Sequence, residues 1–382
     1  MPDSVRLGVI GLGNIGLQHI KNVVSGAVKR AEVAGISSRQ VPTNKLLDGI
    51  PHYSDYQTML QSGQVDAVLI ASPTMLHQEM GEAACEAGLH IIMEKPLGMS
   101  VAEAQSLINA AADKQRFAVM LNQRCHPAYR RIKEIIDEGQ LGEFQRIHWS
   151  MTAWYRPDIY YRVSDWRGTW PGEGGGLLIN QCIHNLDILQ WLVGLPNKVS
   201  SIVGFGKYHE IDVEDEVTAM FSYDNGATGV LVASSGEAPG INQLDIVGDK
   251  GTLRYDGTTL TLSTTEQNVT EHCRNTQEMF GMPNFQQSSI DTNEPVNQHA
   301  IILQNFVDAI LDGVPLITPA TEGVASIELA NAILLSAWQD ESVTLPIDAD
   351  VYQQVLDEKI RQSSLRKPET LDVQIDMGKS FR

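Results

Sequence analysis

Residues 5–16 read VRLGVIGLGNIG, and this stretch decides the fold of the first part of the chain. Val5–Ile10 is a short, mostly apolar run that ends at glycines, as a buried parallel strand does. The glycines after it fit the pattern GxGxxG, between that strand and a run with helical spacing. Gly11 permits a tight turn, Gly13 lets a pyrophosphate approach the backbone, and Gly16 lets the helix pack closely on the strand. The free N–H groups at the start of that helix would bind the phosphates.

Strand and helix signals alternate through the first third of the chain. Four more apolar runs are predicted strands: Ala31–Ile36, Val65–Ala71, Leu89–Met93 and Phe117–Leu121. Most of them are separated by stretches with helical spacing. Such alternation is typical of a doubly wound parallel sheet. We therefore predict an α/β dinucleotide-binding domain of the Rossmann type over residues 1–123.

The alternation stops after about residue 123, where one helix leads into a series of strand-like runs. Those runs are Phe144–Trp154, Val199–Gly206, Val217–Tyr223, Thr228–Ser234, Gln243–Val247 and Thr252–Tyr255. Asp224–Gly226 and Asp249–Gly251 lie between such runs as hairpin turn signals. We predict an α+β domain over residues 124–382, with a mainly antiparallel sheet covered by helices on one face. Lys207–Glu216 is expected to be an acidic surface loop, and the residues from about Ser363 a polar loop.

Charge and composition exclude several classes of partner. The 382 residues include 28 Lys and Arg against 47 Asp and Glu, a net charge of −19. This balance argues against nucleic acid and anionic membrane surfaces, which need clustered basic residues. The four cysteines form no CxxC pair, and no run is long and apolar enough to span a membrane. We read no signal peptide, and we expect a cytoplasmic protein with reduced thiols and no bound metal.

The choice between NAD and NADP depends on the end of the second predicted strand. A carboxylate there would bond the ribose 2′-hydroxyl of NAD. This chain has Ser37, Ser38 and Arg39 instead. Two hydroxyls and an arginine suit a 2′-phosphate better, because Arg donates charge-assisted hydrogen bonds. The sequence therefore favours NADP slightly over NAD, with a solvated Arg39 as the open alternative.

Two further stretches follow predicted strands and should face the same cleft, because ligands sit beyond the carboxyl ends of such strands. Glu94-Lys95-Pro96 places a lysine where it could stabilise an alkoxide or move a proton. Ser72-Pro73-Thr74 offers a hydroxyl and a helix start beside the cofactor. His77 lies just inside that helix, where a structural role is the alternative.

A third stretch, Gly174–Asp187, carries polar residues at helical spacing. In one continuous helix, Asn180, His184 and Asp187 would share a stripe at i, i+4 and i+7. A histidine in such a stripe suits proton transfer, and a satisfied core histidine is the alternative. A metal site is disfavoured, because such sites usually need three or four good ligands.

These motifs together resemble the Gfo/Idh/MocA family of NAD(P)-dependent oxidoreductases, which act mostly on sugars and cyclic polyols. The resemblance spans nearly the whole chain and is carried by residues 11–16, 72–77, 94–96, 122–127, 174–187 and 298–338. It implies that Lys95 and His184 flank the substrate as catalytic residues. Asn180 stands where many members have an aspartate, so the usual proton relay through that acid is in doubt here. The family also implies a homodimer or homotetramer formed through the open sheet.

The motifs and the resemblance predict two sets of binding residues. The expected cofactor contacts are Gly11, Gly13, Asn14, Ile15, Gly16, Ser37, Ser38, Arg39, Ser72, Pro73, Thr74, His77, Glu94, Lys95 and Asn122. The expected substrate contacts are Lys95, Arg124, Trp166, Arg167, Asn180, His184 and Asp187. The resemblance implies that Trp166 or Trp170 stacks on a sugar face while Arg167 bonds its hydroxyls, and a core or interface position is the alternative for both tryptophans.

The expected activity is hydride transfer between NAD(P) and a secondary hydroxyl or ketone of a sugar, glycoside or cyclitol. A glycosidase that retains NAD and oxidises its sugar transiently is the alternative within the family. A non-catalytic sensor that binds the dinucleotide is less favoured, because Lys95 and His184 are both present.

Overall fold

The computed structural model describes residues 3–41 and 43–363, which form two β-sheets with helices around them. The first sheet has six strands, all parallel, in the order β3-β2-β1-β4-β5-β6. These strands are β1 (Val5–Ile10), β2 (Ala31–Ser37), β3 (His52–Tyr53), β4 (Ala67–Ile70), β5 (His90–Met93) and β6 (Phe117–Val119). The predicted Rossmann architecture is confirmed, because the apolar runs are buried on both faces as parallel strands require.

The second sheet has nine strands in the order β14-β13-β12-β11-β7-β10-β9-β8-β15. They are β7 (Phe144–Met151), β8 (Lys198–Phe205), β9 (Glu214–Ser222), β10 (Thr228–Ser234), β11 (Asn242–Gly248), β12 (Gly251–Tyr255), β13 (Leu260–Thr265), β14 (Phe285–Ile290) and β15 (Val343–Thr344). All neighbours are antiparallel except β7 and β10, so the mainly antiparallel prediction is confirmed. Both hairpin turns lie where predicted, between β9 and β10 and between β11 and β12.

Twelve helices complete the described part of the chain. They are α1 (Asn14–Val24), α2 (Tyr56–Gln61), α3 (His77–Glu86), α4 (Val101–Ala110), α5 (Pro127–Asp137), α6 (Asp158–Arg162), α7 (Trp170–Glu173), α8 (Ile183–Val193), α9 (Val269–Asn275), α10 (Gln298–Leu311), α11 (Ala320–Gln339) and α12 (Ala349–Gln362). Helices α5, α8 and α11 share one core with the second sheet, whose other face exposes Ile202 and Met220. Among residues 3–41 and 43–363, no helix is long and apolar enough to cross a membrane.

Helix α10 returns to the first sheet although it lies far along the chain. Leu303, Phe306 and Val307 are buried in one cluster with Leu7 of β1 and Ile20 of α1. This packing joins the two sheets into one body around a shared cleft. The boundary at residue 123 stays a sequence prediction, and α10 shows that the later part of the chain completes the first core.

The prediction of a surface loop over Lys207–Glu216 is wrong for its acidic end. Glu214 and Asp215 begin β9 and are both 0% exposed. Glu214 accepts backbone N–H groups from Gly176 and Leu178, each at 2.8 Å. The carboxylates are buried because backbone donors need them as acceptors, which composition does not reveal. The polar loop expected from Ser363 lies outside the described residues, apart from Ser363 itself.

Candidate active site

The predicted cofactor residues come together at one edge of the first sheet. Five neighbouring strands, β2, β1, β4, β5 and β6, end there. The segments that follow them contain Ser37–Arg39, Gly11–Gly16, Ser72–Thr74, Glu94-Lys95 and Asn122 in that spatial order. The carboxyl ends of parallel strands share an edge, so residues far apart in sequence meet in one crevice.

The backbone of the Gly11–Gly16 turn is open to close approach by a ligand. Gly11 has φ +91°, and a side chain there would overlap the Ala71 carbonyl. A Cβ on Gly16 would overlap the Gly11 carbonyl, so the start of α1 packs directly on the turn. A Cβ on Gly13, in contrast, would meet nothing within 4 Å. The open space therefore lies in front of Gly13, where the helix begins.

The surroundings of this turn suit an anionic group. The first turn of α1 has no acidic residue and no side-chain cap, so its N–H groups point outward with the positive end of the helix dipole. The hydroxyl of Ser72, on the neighbouring loop, is buried without a hydrogen-bond partner among the described residues. These features fit the pyrophosphate of a dinucleotide.

The segment after β2 carries no carboxylate. Ser37 is buried, the Ser38 hydroxyl donates to the Gln40 carbonyl at 2.6 Å, and Arg39 is exposed. Ser37 is therefore shielded by burial, the Ser38 hydroxyl is bound within the loop, and the exposed Arg39 is accessible to a ligand phosphate.

Glu94 and His19 form a buried pair beside Lys95. His19 Nε2 lies 2.7 Å from Glu94 Oε1. Burial alone would raise the pKa of Glu94, but the hydrogen bond from His19 overrides it and lowers the pKa to about 2. Glu94 is therefore a carboxylate at neutral pH, next to the lysine. His77 uses both ring nitrogens within the protein, at 2.8 Å from the Pro96 carbonyl and 3.0 Å from the Ser72 carbonyl.

Lys95 reaches from the first sheet to the second domain. Its Nζ donates to the backbone carbonyl of Asn180 at 2.8 Å. Burial lowers the pKa of Lys95 to about 8, although the Glu94 charge opposes the shift. An amine with this pKa can change its protonation state near physiological pH.

The single helix predicted over Gly174–Asp187 is wrong. Residues Leu177–Gln181 form one turn of π-helix, and α8 begins after it at Ile183. The side chain of Asn180 consequently turns to Glu173, with which it forms a short hydrogen bond. Its backbone carbonyl faces Lys95. Glu214 stabilises this turn by accepting hydrogen bonds from the backbone N–H groups of Gly176 and Leu178.

His184 sits at the start of α8 on the wall of the interdomain cleft. Its Nδ1 is buried and has no partner among the described residues. Burial and the Lys95 charge lower the pKa of His184 well below 6.5. The ring is therefore neutral at pH 7 and carries one nitrogen able to accept a proton or a hydrogen bond.

Arg124 and Asp187, both predicted to contact substrate, bind each other. Arg124 Nε and Nη2 donate to the two Asp187 oxygens at 2.8 Å and 2.6 Å, and the side chains are 1% and 0% exposed. Arg124 also pairs with Glu322. Contact with a substrate would require breaking this pair, so the arrangement instead joins α8 to the segment after β6.

Trp166, the predicted aromatic platform, is not among the described residues that line the cleft. The Arg167 guanidinium lies between the rings of Trp166 and Tyr160, 4.5 Å from each ring centre. Trp154 instead lines the cleft, three residues after β7 ends. The sequence did not identify Trp154, His126 or His299 as site residues, because the cleft wall is built from segments that are adjacent only in the folded chain.

Comparisons with known proteins agree with this geometry. The model of an oxidoreductase family with an NAD-binding Rossmann fold matches residues 5–123, and that of the GFO/IDH/MocA C-terminal domain matches residues 129–254. The scyllo-inositol 2-dehydrogenase (NAD(+)) of Bacillus subtilis is 26% identical over 371 residues, 92% of this chain and 98% of that enzyme. The myo-inositol 2-dehydrogenase of Thermotoga maritima is 27% identical over 66% of this chain and 75% of its own.

A solved structure shares the architecture over most of its length. The WlbA dehydrogenase from Bordetella pertussis, in complex with NADH and UDP-GlcNAcA, is 26% identical with a TM-score of 0.75. The match covers 90% of this chain and 100% of that one. Because the two family models span well over half of the sequence and the glycine turn fits a dinucleotide, the chain belongs to the Gfo/Idh/MocA family of oxidoreductases with an NAD(P)-binding Rossmann domain.

Proposed function

We propose that this protein is an NAD(P)-dependent dehydrogenase of a sugar, glycoside or cyclitol, with its reacting hydroxyl between Lys95 and His184. The observation that carries the proposal is the hydrogen bond from Lys95 Nζ to the Asn180 carbonyl, 2.8 Å long. It joins the crevice of the first sheet to the turn that directly precedes the helix of His184. The inositol dehydrogenases among the relatives support the substrate class.

The protein's part in the reaction is to orient the alcohol and take its proton. A bound nicotinamide would supply the hydride acceptor through which a secondary alcohol is oxidised to a ketone. Gly11–Gly16 and Ser72–Thr74 would hold the phosphates. Neutral Lys95 accepts the hydroxyl proton directly or through His184, whose uncharged ring bonds the same oxygen.

The proposal is tested by a spectrophotometric screen at 340 nm with NAD and with NADP. The panel contains inositols, hexoses, methyl glycosides and anhydrosugars. Net NAD(P)H formation with at least one of them is expected. If cofactor stays bound through gel filtration and sugar is released without net NAD(P)H, the glycosidase alternative is correct instead.

The pH profile should identify the proton acceptor. We expect kcat/KM for alcohol oxidation to rise with pH and to be half-maximal near pH 8, because the Lys95 amine must be neutral and its pKa is lowered to about 8. Ketone reduction should show the opposite slope. A rate that is flat from pH 7 to 9 would instead assign the proton to His184, whose pKa is well below 6.5.

Arg39→Ala tests the proposed preference for NADP. A charge-assisted hydrogen bond is worth roughly 1.5–3 kcal/mol, so KM for NADP should rise at least about tenfold. KM for NAD, which has no 2′-phosphate, should change by less than about threefold. The ratio of the two KM values provides an internal control for folding. An unchanged ratio would show that Arg39 is a solvated loop residue.

A further inference from the structure

The cleft beside His184 has no charged residue in its wall. Its volume is about 760 Å³ and eighteen described residues line it, none of them Asp, Glu, Lys or Arg. Seven are Asn or Gln, Asn185 and Asn242 among them. The three histidines are neutral at pH 7, because burial lowers the pKa of His126, His184 and His299. The wall therefore offers uncharged donors and acceptors.

Cations near this cleft are already used by other groups. Lys95 donates to the Asn180 carbonyl, Arg124 pairs with Asp187, and Arg167 donates to the Tyr160 hydroxyl at 2.5 Å. None of the three is among the lining residues. Lys95 would meet only the reacting ring, and Arg156, which lies against Trp154 outside the lining, donates to the Tyr155 carbonyl at 2.9 Å. A carboxylate or phosphate bound against the lining residues would lose its hydration without gaining a counter-charge from the wall itself, which is costly. Amide side chains, in contrast, donate to and accept from hydroxyl groups equally well.

One side of the cleft is aromatic. Trp154 lines it, half-buried, and the Arg156 guanidinium carbon lies 5.5 Å from its ring centre. Tyr129 and Tyr255 lie deeper, with ring centres 5.7 Å apart. The cleft volume falls in the upper part of the roughly 300–1,000 Å³ range of ligand pockets. Asn122, a predicted cofactor contact, lines the same cleft, so the nicotinamide, the reacting ring and a group against Trp154 would share this volume.

We propose that the substrate is an uncharged glycoside, with its sugar ring at Lys95 and His184 and its substituent packed on Trp154. This inference rests on the proposed dehydrogenase function and narrows it. It excludes sugar acids, sugar phosphates and nucleotide sugars. It also makes Trp154 a specificity-determining residue, because its ring would contact the part of the substrate that does not react.

The test compares matched pairs of compounds on the wild-type protein with saturating cofactor. Each pair is a p-nitrophenyl glycoside and the corresponding p-nitrophenyl uronide, in the gluco and galacto configurations, with the free sugars and myo-inositol alongside. We expect kcat/KM for the neutral glycoside to exceed that for the uronide at least about tenfold. The uronide would bring a carboxylate against the cleft wall without a counter-charge, and partial screening by water limits the penalty to about this size. KM for the glycoside should also be lower than KM for the free sugar.

Trp154→Ala should raise KM for the glycoside about tenfold, towards that of the free sugar, with kcat changed by less than about threefold. Trp154→Phe should recover most of the loss. Tyr155→Ala removes a neighbouring ring that is 47% exposed and does not line the cleft, so it serves as the control.

Three outcomes would overturn the inference while leaving the dehydrogenase function standing. They are a uronide turned over as well as its glycoside, free inositol preferred over every glycoside, or a Trp154→Ala variant in which KM for glycoside and free sugar rise equally. Absence of NAD(P)H formation with every compound, and throughout the wider screen, would reject the dehydrogenase function itself.

Discussion

Lys95→Ala should lower kcat by about 10²–10⁴-fold, the usual contribution of a positioned acid–base group. The side chain carries the amine that is poised to take the substrate proton, and its Nζ is 2.8 Å from the Asn180 carbonyl. Dissociation of NAD(P)H, measured by its fluorescence, should change by less than about threefold, because Gly11–Gly16 and the start of α1 remain intact.

The control for this variant is Lys114→Ala. Lys114 is exposed and lies before β6, at the opposite end of the strands from the crevice. Its kcat should equal that of the wild type. An unchanged kcat in Lys95→Ala, or equal losses in both variants, would reject the catalytic role of Lys95.

Asp187→Asn should destabilise the protein by about 3–5 kcal/mol, because it leaves the Arg124 guanidinium buried without its bidentate partner. The expected fall in Tm is roughly 10 °C for a chain of this size. Glu322 remains beside Arg124, but its side chain is 50% exposed and cannot replace two buried oxygens. Thermal unfolding followed by circular dichroism measures the effect.

A surface pair that is also bidentate gives the matched control. Arg30 donates to both oxygens of Asp312 at 2.6 Å and 3.0 Å, with the side chains 43% and 46% exposed. Asp312→Asn should leave Tm almost unchanged, since water replaces the lost partner. If Asp187→Asn leaves Tm unchanged but raises KM for substrate, Asp187 is the substrate ligand that its position in the sequence suggested.

Local patterns predicted the elements whose signals are contained in adjacent residues. β1 and β10 have the predicted bounds, and both Gly-containing turns join the predicted strands. The strands β3, β13, β14 and β15 and the helix α12 were not predicted. β3 and β15 have two residues each and β14 is mostly polar, so these strands lack a strong hydrophobic pattern. In α12, Tyr352, Leu356 and Ile360 do have helical spacing, and that signal was missed.

The site was predicted in part, and the errors have one physical origin. The continuous helix through Asn180 fails because buried Glu214 binds the N–H groups of Gly176 and Leu178. A carboxylate 38 residues away thus changes the direction in which Asn180 presents its side chain. The pairing of Arg124 with Asp187 is equally non-local, across 63 residues. Neither contact produces a repeating pattern of residues that could be detected in the sequence.

By itself, the sequence determined the dinucleotide turn, the alternation that places Lys95 at a strand end and the family to which these motifs belong. Those features follow from backbone conformation and burial, which depend on residues close together in the chain. Only the tertiary structure decided which polar groups bond to one another and which side chains line the cleft. The Asn180 carbonyl accepts a hydrogen bond from Lys95, and Asp187 pairs with Arg124. Trp154 lines the cleft. Buried polar groups must find partners wherever the fold brings them, so these roles arise only when distant segments meet.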